Sequence, residues 1–376
     1  MRGKTFFMAV RHVASVALCA CLAARCVAAE LPDDAFDWYD ARELQFEGQA
    51  KWEAMAKPYD RLPADAEGKV SNAIWNMGHH STGYNVRFVP HSDIVRIKWQ
   101  ANDVNWFDPQ MTMCSMSGID VYEWRGEGKG TGGWYFRRLG KAVDKGKARP
   151  QKCSAKLDVD WTSGTPCLVN FPLRATIGEF KIGVKKGSKI EKTFAHKTSR
   201  KPVVIYGTSI VHGCNASRPG MAFVNIAGRI ADVEMIDLGF SGSARMEPEL
   251  CNIVSRIDAS LYIIDPVWNM DLPMMEERYE RFIRTLKEKR PNTPILLCED
   301  CSIDDWPTPK GKFVRDLYAK LKAENVAKWS NLYIIHSEEV FPNDGEATID
   351  HCHPNDWGMM HMGRAYAAKI KEILAK

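Results

Sequence analysis

Hydrophobic and polar residues follow two different rules in the two halves of this chain. From residue 201 onward, short apolar runs at 203–206, 233–237, 261–265, 295–298 and 332–336 are separated by longer segments at 221–231, 274–289, 310–328 and 357–374. Apolar runs of four or five residues suit strands covered on both faces, and the segments between them have the length of helices. Strand alternating with helix predicts a doubly wound parallel sheet, flavodoxin-like, in three α/β/α layers. Ligands of such sheets bind beyond the carboxyl ends of the strands.

Residues 30–198 obey the other rule. Segments 75–78, 84–89 and 94–99 read as strands, and the last alternates apolar and polar as a sheet with one wet face does. Glycines within 126–133 and 183–187 punctuate turns. Strands without intervening helices predict an all-β, jelly-roll-like sandwich. The polar, basic stretch 195–202 is the expected linker, so the chain divides into a sandwich domain at 30–198 and an α/β domain at 199–376.

The first 29 residues stand apart. Arg2, Lys4 and Arg11 precede an apolar run at 13–24, and Val27, Ala28 and Ala29 offer small residues for cleavage before Glu30. This is the form of a secretion signal cut near Ala29, which predicts a periplasmic or extracellular protein. The apolar run is too short to span a bilayer, so no stable membrane insertion is expected. A lipid anchor on Cys21 is the weaker alternative, because Cys19 is unusual in such a site. Arg2, Lys4 and Arg11, together with Arg25, account for the whole +4 formal charge, and the remainder is balanced. A nucleic-acid partner would need a concentrated basic face, and none is expected. Beyond the signal eight cysteines remain. Cys298 and Cys301 form a lone CxxC without the second pair of a zinc site, and read as a local disulfide or two half-buried thiols. Cys214 either lines the pocket or pairs with Cys352.

Chemistry concentrates in two places. Tyr206-Gly207-Thr208-Ser209-Ile210 puts a serine directly after an apolar strand, and Asp350-His351-Cys352-His353-Pro354 precedes the last helix. A hydroxyl becomes a useful nucleophile when a base takes its proton, and an imidazole is a better base when a carboxylate fixes its tautomer. Ser209 alone would read as a turn or cap residue. Its company changes the reading, because Gly239 and Asn269 follow the next two strands and offer donors for a developing oxyanion. The expected oxyanion hole is the N–H of Ser209, the N–H of Gly239 and the amide of Asn269.

These segments resemble the conserved blocks of the SGNH (GDSL-type) hydrolases: Gly207-Thr208-Ser209-Ile210, then Gly239, Asn269 and Asp350-x-x-His353. Gly118-Ile119-Asp120-Val121-Tyr122 is similar to the motif of a subgroup with a GxDLY-type N-terminal domain. The resemblance covers nearly all of the chain after the signal. It implies a serine esterase with Ser209 as nucleophile, His353 as base and Asp350 as its orienter, needing neither cofactor nor metal. Thr208 departs from the aspartate of the GDS signature, and Val121 from the leucine of GxDLY. The implied substrate is a small-molecule or oligosaccharide ester with a short acyl group, acetyl foremost. Twelve Trp and eleven Tyr would suit sugar stacking where exposed, though most should be core. Two alternatives compete. Asp350, His351, His353 and His361 are ordinary metal ligands, which would suit a metal-dependent hydrolase. A non-catalytic glycan-binding protein on a decayed hydrolase fold is the other. The GxDLY-like segment is expected to be a packing motif, the alternative being a strand that positions the active-site rim, and no feature addresses oligomeric state.

Overall fold

Residues 30–104, 109–142, 152–302, 306–342 and 344–375 are described in the computed structural model. The predicted signal peptide, with Cys21 and Ala29, lies outside the described residues. The chain divides into a short N-terminal unit, in which Asp33–Ala35 form a 3-10 turn, and a body from Asp37 onward.

Period-two burial builds the first half of that body. In β4 (Ile94–Asn102), Val95, Ile97, Trp99 and Ala101 turn inward while Lys98 and Gln100 are half-buried on the other face. With β1 (Phe36–Asp40), β7 (Cys153–Asp160) and β9 (Thr176–Lys185) it makes a four-stranded sheet in the order β1-β9-β4-β7. A six-stranded sheet runs β10-β3-β8-β5-β6, with β2 also on β3. Its strands are β2 (Gln45–Glu47), β3 (Asn85–Pro90), β5 (Ile119–Trp124), β6 (Trp134–Gly140), β8 (Cys167–Asn170) and β10 (Ile190–Glu191). The described registers in both sheets are antiparallel.

One expected strand is a helix. Residues 75–78 belong to α1 (Asn72–Gly78), which Ser71 caps by accepting a hydrogen bond from the Ile74 N–H. The serine cap and the burial of Ile74 and Met77, three residues apart, outweigh the β-propensity of Ile74 and Trp75. A second short helix, α2, covers Met113–Met116.

The second half is the expected parallel sheet, with strands β11 (Val203–Gly207), β12 (Met235–Gly239), β13 (Leu261–Asp265), β14 (Ile295–Cys298) and β15 (Leu332–Ile335). All but β15 are buried along their whole length. Helices α3 (Phe223–Ala231), α5 (Leu272–Lys289), α6 (Pro309–Glu324) and α8 (Asp356–Leu374) correspond to the four predicted segments. The patterning did not reveal α4 (Pro248–Val254) or α7 (Ser337–Val340), each no more than two turns long. The strand order β12-β11-β13-β14-β15 places β11 between the two strands that follow it in sequence. The chain therefore reverses its direction of winding at β11, and a crevice opens at that strand's carboxyl end. In register, Gly207 of β11 lies beside Gly239 of β12 and Asp265 of β13.

Candidate active site

Ser209 stands two residues beyond β11, in a turn closed by the His212 N–H to the Thr208 carbonyl and the Cys214 N–H to the Ser209 carbonyl. Gly207 makes that turn possible. A Cβ there would come within 2.4 Å of Val211 and 2.5 Å of the Asp265 carbonyl. The serine is 8% exposed. Its N–H makes no hydrogen bond among the described residues.

Asp350 organises the loop before α8. Its Oδ1 accepts from the N–H groups of Cys352 (3.1 Å) and His353 (2.7 Å), which leaves Oδ2 for the His353 Nδ1 at 2.8 Å. Burial works against the charged carboxylate, but these bonds from His353 and Cys352 outweigh it and hold the group below its usual range. A carboxylate only accepts, so His353 carries its proton on Nδ1 and presents the lone pair of Nε2. That nitrogen lies 2.8 Å from the Ser209 Oγ. Gln110, from the sandwich half, adds a long contact of 3.5 Å to the Asp350 Oδ2.

Asn269 ends a 3-10 turn, Val267–Asn269, after β13. Its Oδ1 accepts from the Ala244 N–H at 3.2 Å, so the Nδ2 is left to donate. Gly239 departs from expectation. Its N–H donates to the Asp237 Oδ1 at 2.8 Å, and a Cβ on it would come within 2.3 Å of the His212 nitrogen. The residue therefore serves close packing of β12 under the Ser209 turn rather than presenting a free donor. Further along, the Phe240 N–H is bonded to Gly207, that of Ser243 to Phe240 and that of Ala244 to Asn269. Among the described bonds, only the N–H groups of Ser241 and Gly242 remain without an acceptor in this turn. Gly242 has φ +66°, the left-handed region that favours glycine. A Ser-Gly pair one turn past a strand end was the sequence signal for this position.

Three residues beyond the serine, His212 belongs to a buried polar cluster that the sequence pattern did not reveal. His212 is fully buried, with Nδ1 3.1 Å from an Arg174 Nη and 3.3 Å from the Ser241 Oγ, and Nε2 3.2 Å from the Nδ1 of His80. Arginine only donates, so the His212 Nδ1 accepts and its Nε2–H points to His80. Burial, then the charges of Arg174 and Arg61, push both imidazoles well below their ordinary value and keep them neutral. Arg61, also fully buried, donates to the carbonyls of Met77, His80, Asp237 and Gly239. It fastens the first half of the chain to the end of β12.

The Asp350–His361 cluster does not converge. His353 faces Asp350 and Ser209, His361 packs against the Trp357 ring, and His351 is exposed. Among the described residues no three His, Cys, Asp or Glu side chains are arranged to hold a metal ion. Cys298 and Cys301 are free, fully buried thiols, neither disulfide-bonded nor half-exposed, and Cys214 and Cys352 form no disulfide with one another.

A serine turn at the switch point of a parallel sheet, with an Asp–His pair delivered from the loop before the last helix, defines a class of hydrolase. The comparisons with known proteins agree. Residues 200–371 match the model of the GDSL-like Lipase/Acylhydrolase family, and residues 36–190 match GxDLY, the N-terminus of Esterase_SGNH_hydro-type. A candidate GDSL-like lipase from Bacteroides ovatus is similar, with 26% identity and a TM-score of 0.76 over 90% of this chain and 98% of that one. A salicylyl-acyltransferase of a tetracycline biosynthetic pathway shares the fold at 16% identity and a TM-score of 0.68, over 92% and 98% of the two chains. So does a family two carbohydrate esterase from Cellvibrio japonicus, at 12% identity and a TM-score of 0.55 over 90% and 98%. No curated protein matches the chain. The chain belongs to the GDSL-like (SGNH) lipase/acylhydrolase family and is a carboxylic ester hydrolase.

Proposed function

We propose that the protein is an exported serine esterase that removes short acyl groups, acetyl foremost, from carbohydrate. The observation that carries the chemistry is the unbroken relay from Asp350 through His353 to Ser209, with 2.8 Å at each step. His353 Nε2 takes the Ser209 proton as Oγ attacks the ester carbonyl. The tetrahedral oxyanion is met by the N–H of Ser209 and the Nδ2 of Asn269. With the N–H of Gly239 spent on Asp237, the third donor is the N–H of Gly242. Collapse breaks the ester C–O bond, passes the proton from His353 to the departing sugar oxygen, which leaves as a hydroxyl, and leaves an acyl-serine. Water, deprotonated by the same imidazole, then releases the acid and restores Ser209.

The carbohydrate reading is supported by the shared fold with family two carbohydrate esterases and with an acetyl xylan esterase from Butyrivibrio proteoclasticus. The signal-like first 29 residues support export, and no helix among the described residues is long and apolar enough to cross a membrane. The test is turnover of acetylated xylo- and cello-oligosaccharides against longer-chain esters, beside fluorophosphonate labelling. Ser209→Ala should abolish both labelling and turnover, a loss of about 10⁵–10⁶ in kcat, while leaving the melting temperature within a few degrees. Undiminished hydrolysis by that variant would remove the serine from the reaction. A preference for long acyl chains would redirect the substrate reading to lipids.

A further inference from the structure

The GxDLY-like segment was expected to be a packing motif of the sandwich. Instead, two of its side chains grip a loop of the hydrolase half. Asp120 is completely buried on β5. Its Oδ1 accepts from Asn170 of the neighbouring strand β8 at 2.8 Å, and its Oδ2 accepts from an Arg218 Nη at 2.6 Å and from the Gly220 N–H at 2.8 Å. The same Arg218 nitrogen reaches the Tyr122 hydroxyl at 2.5 Å, and its guanidinium lies 4.1 Å above the Phe136 ring. The fit leaves no slack. A Cβ on Gly220 would meet the Tyr122 hydroxyl at 2.5 Å and the Asp120 Oδ2 at 2.7 Å. From behind, Arg229 of α3 donates to the Gly220 carbonyl at 2.6 Å while lying over the Tyr122 ring.

The loop so held, residues 214–221, leads from the Ser209 turn to α3, and its first half holds both catalytic segments. The Cys214 N–H is bonded to the Ser209 carbonyl, and the Asn215 N–H to the carbonyl of Pro354, next to His353. Ser217 gives its N–H (2.8 Å) and hydroxyl (2.5 Å) to the two carboxylate oxygens of Asp356, in the first turn of α8. Serine and histidine thus hang from one short loop, which the sandwich also meets through Thr112 on the Ser217 carbonyl, Met111 beside Cys214 and an Arg174 Nη on the Cys214 Sγ at 2.6 Å. Burying a carboxylate costs several kcal/mol unless its partners compensate, and an apolar residue would serve mere packing as well.

We propose that Asp120 is a positioning residue for acyl transfer. Through Arg218 and Gly220 it fixes the loop that sets the Ser209–His353 separation, so the sandwich domain takes part in the register of the catalytic relay. The proposal rests on the reading of Ser209 and His353 as nucleophile and base. Misplacement of a reacting group by about 1 Å costs on the order of 10²-fold in rate. Asp120→Asn preserves shape and weakens the grip on Arg218. It should lower kcat for an aryl acetate by about ten- to a hundredfold with KM changed less than about threefold.

The decisive measurement is a cycle with Asp356→Asn, which loosens the same loop from the far side without touching Asp120. Losses in kcat that fail to add are expected, because both substitutions release one element. Additive losses, or an unchanged kcat in folded Asp120→Asn, would overturn the proposal even with Ser209→Ala inactive. Should Asp120→Asn not fold, Arg218→Lys enters the same cycle with the same two outcomes. A readout independent of turnover is the downfield Nδ1 proton resonance of His353, assigned by its absence in His353→Gln. Broadening or displacement in Asp120→Asn is expected, and an unmoved resonance would count against the idea whatever the role of Ser209.

Discussion

Two histidines, His353 at 2.8 Å from the Ser209 hydroxyl and His212 three residues further along the same turn, have surroundings that lead to opposite chemistry. His353 lies on a partly exposed loop, faces a carboxylate through Nδ1 and turns Nε2 to the serine. His212 is sealed in the core, faces a guanidinium through Nδ1 and another neutral imidazole through Nε2. A carboxylate stabilises an imidazolium formed by proton uptake, whereas an arginine beside a desolvated ring forbids one. The first histidine is equipped to move a proton, and the second to hold a polar core in register beneath the turn.

That contrast breaks most sharply at Asp350. Asp350→Asn keeps the side-chain shape but turns an acceptor pair into a mixed amide, so the favoured tautomer of His353 is lost. The expected cost is about 10³–10⁴ in kcat with the melting temperature nearly unchanged, read from steady-state kinetics beside calorimetry. A loss of stability without loss of rate would place Asp350 among the structural residues. His212→Leu should do the reverse. It strips an acceptor from buried Arg174 and should cost about 3 kcal/mol of stability in denaturant titration. The rate per folded molecule should change less than about tenfold. A larger fall in rate at full stability would mean that His212 enters the chemistry.

A smaller effect separates the histidines by pH. His196 lies between Glu47 of the sandwich and Asp232 at the end of α3, with 2.9 Å to each. Burial opposes its charge, but the hydrogen bonds to Asp232 and Glu47 prevail and push it up to about 9. Its contribution to stability is complete below the ordinary value of 6.5, declines above it and is gone once pH has risen through about 9. His80 and His212, depressed by burial, contribute stability above that ordinary value that is lost as pH falls below it. Melting temperatures taken from pH 5 to 10 should therefore fall on both sides, and His196→Gln should flatten only the alkaline limb. An alkaline limb that persists in His196→Gln would assign it to other groups.

Much of the site was legible because its signals are local. Asp350 and His353 stand three residues apart and fold onto one another within a single loop, so their pairing needed no knowledge of the rest of the chain. Ser209 was found for a related reason, since an apolar strand ending in Gly-x-Ser announces both the strand end and the turn beyond it. The alternation of apolar runs and helical segments likewise carries the parallel sheet, because strands buried on both faces have no other composition open to them. Where the local signal is a cap rather than a period, the hydrophobic pattern misleads. Residues 75–78 look like a strand until Ser71 is recognised as the start of a helix.

What only the tertiary structure decided are the pairings between groups far apart in sequence. Whether the Gly239 N–H is free depends on Asp237 turning back upon it, and Asp237 in turn faces Arg61 from the first half of the chain. His212 meets His80, and Asp120 meets Gly220, across more than a hundred and about a hundred residues respectively. Such pairs leave no periodicity behind, because each requires the whole fold to close before its two members approach. The residue types that can transfer an acyl group are thus present in the sequence as local patterns. Which donors remain unspent, and what holds serine and histidine at bonding distance, follow from how the two halves of the chain pack.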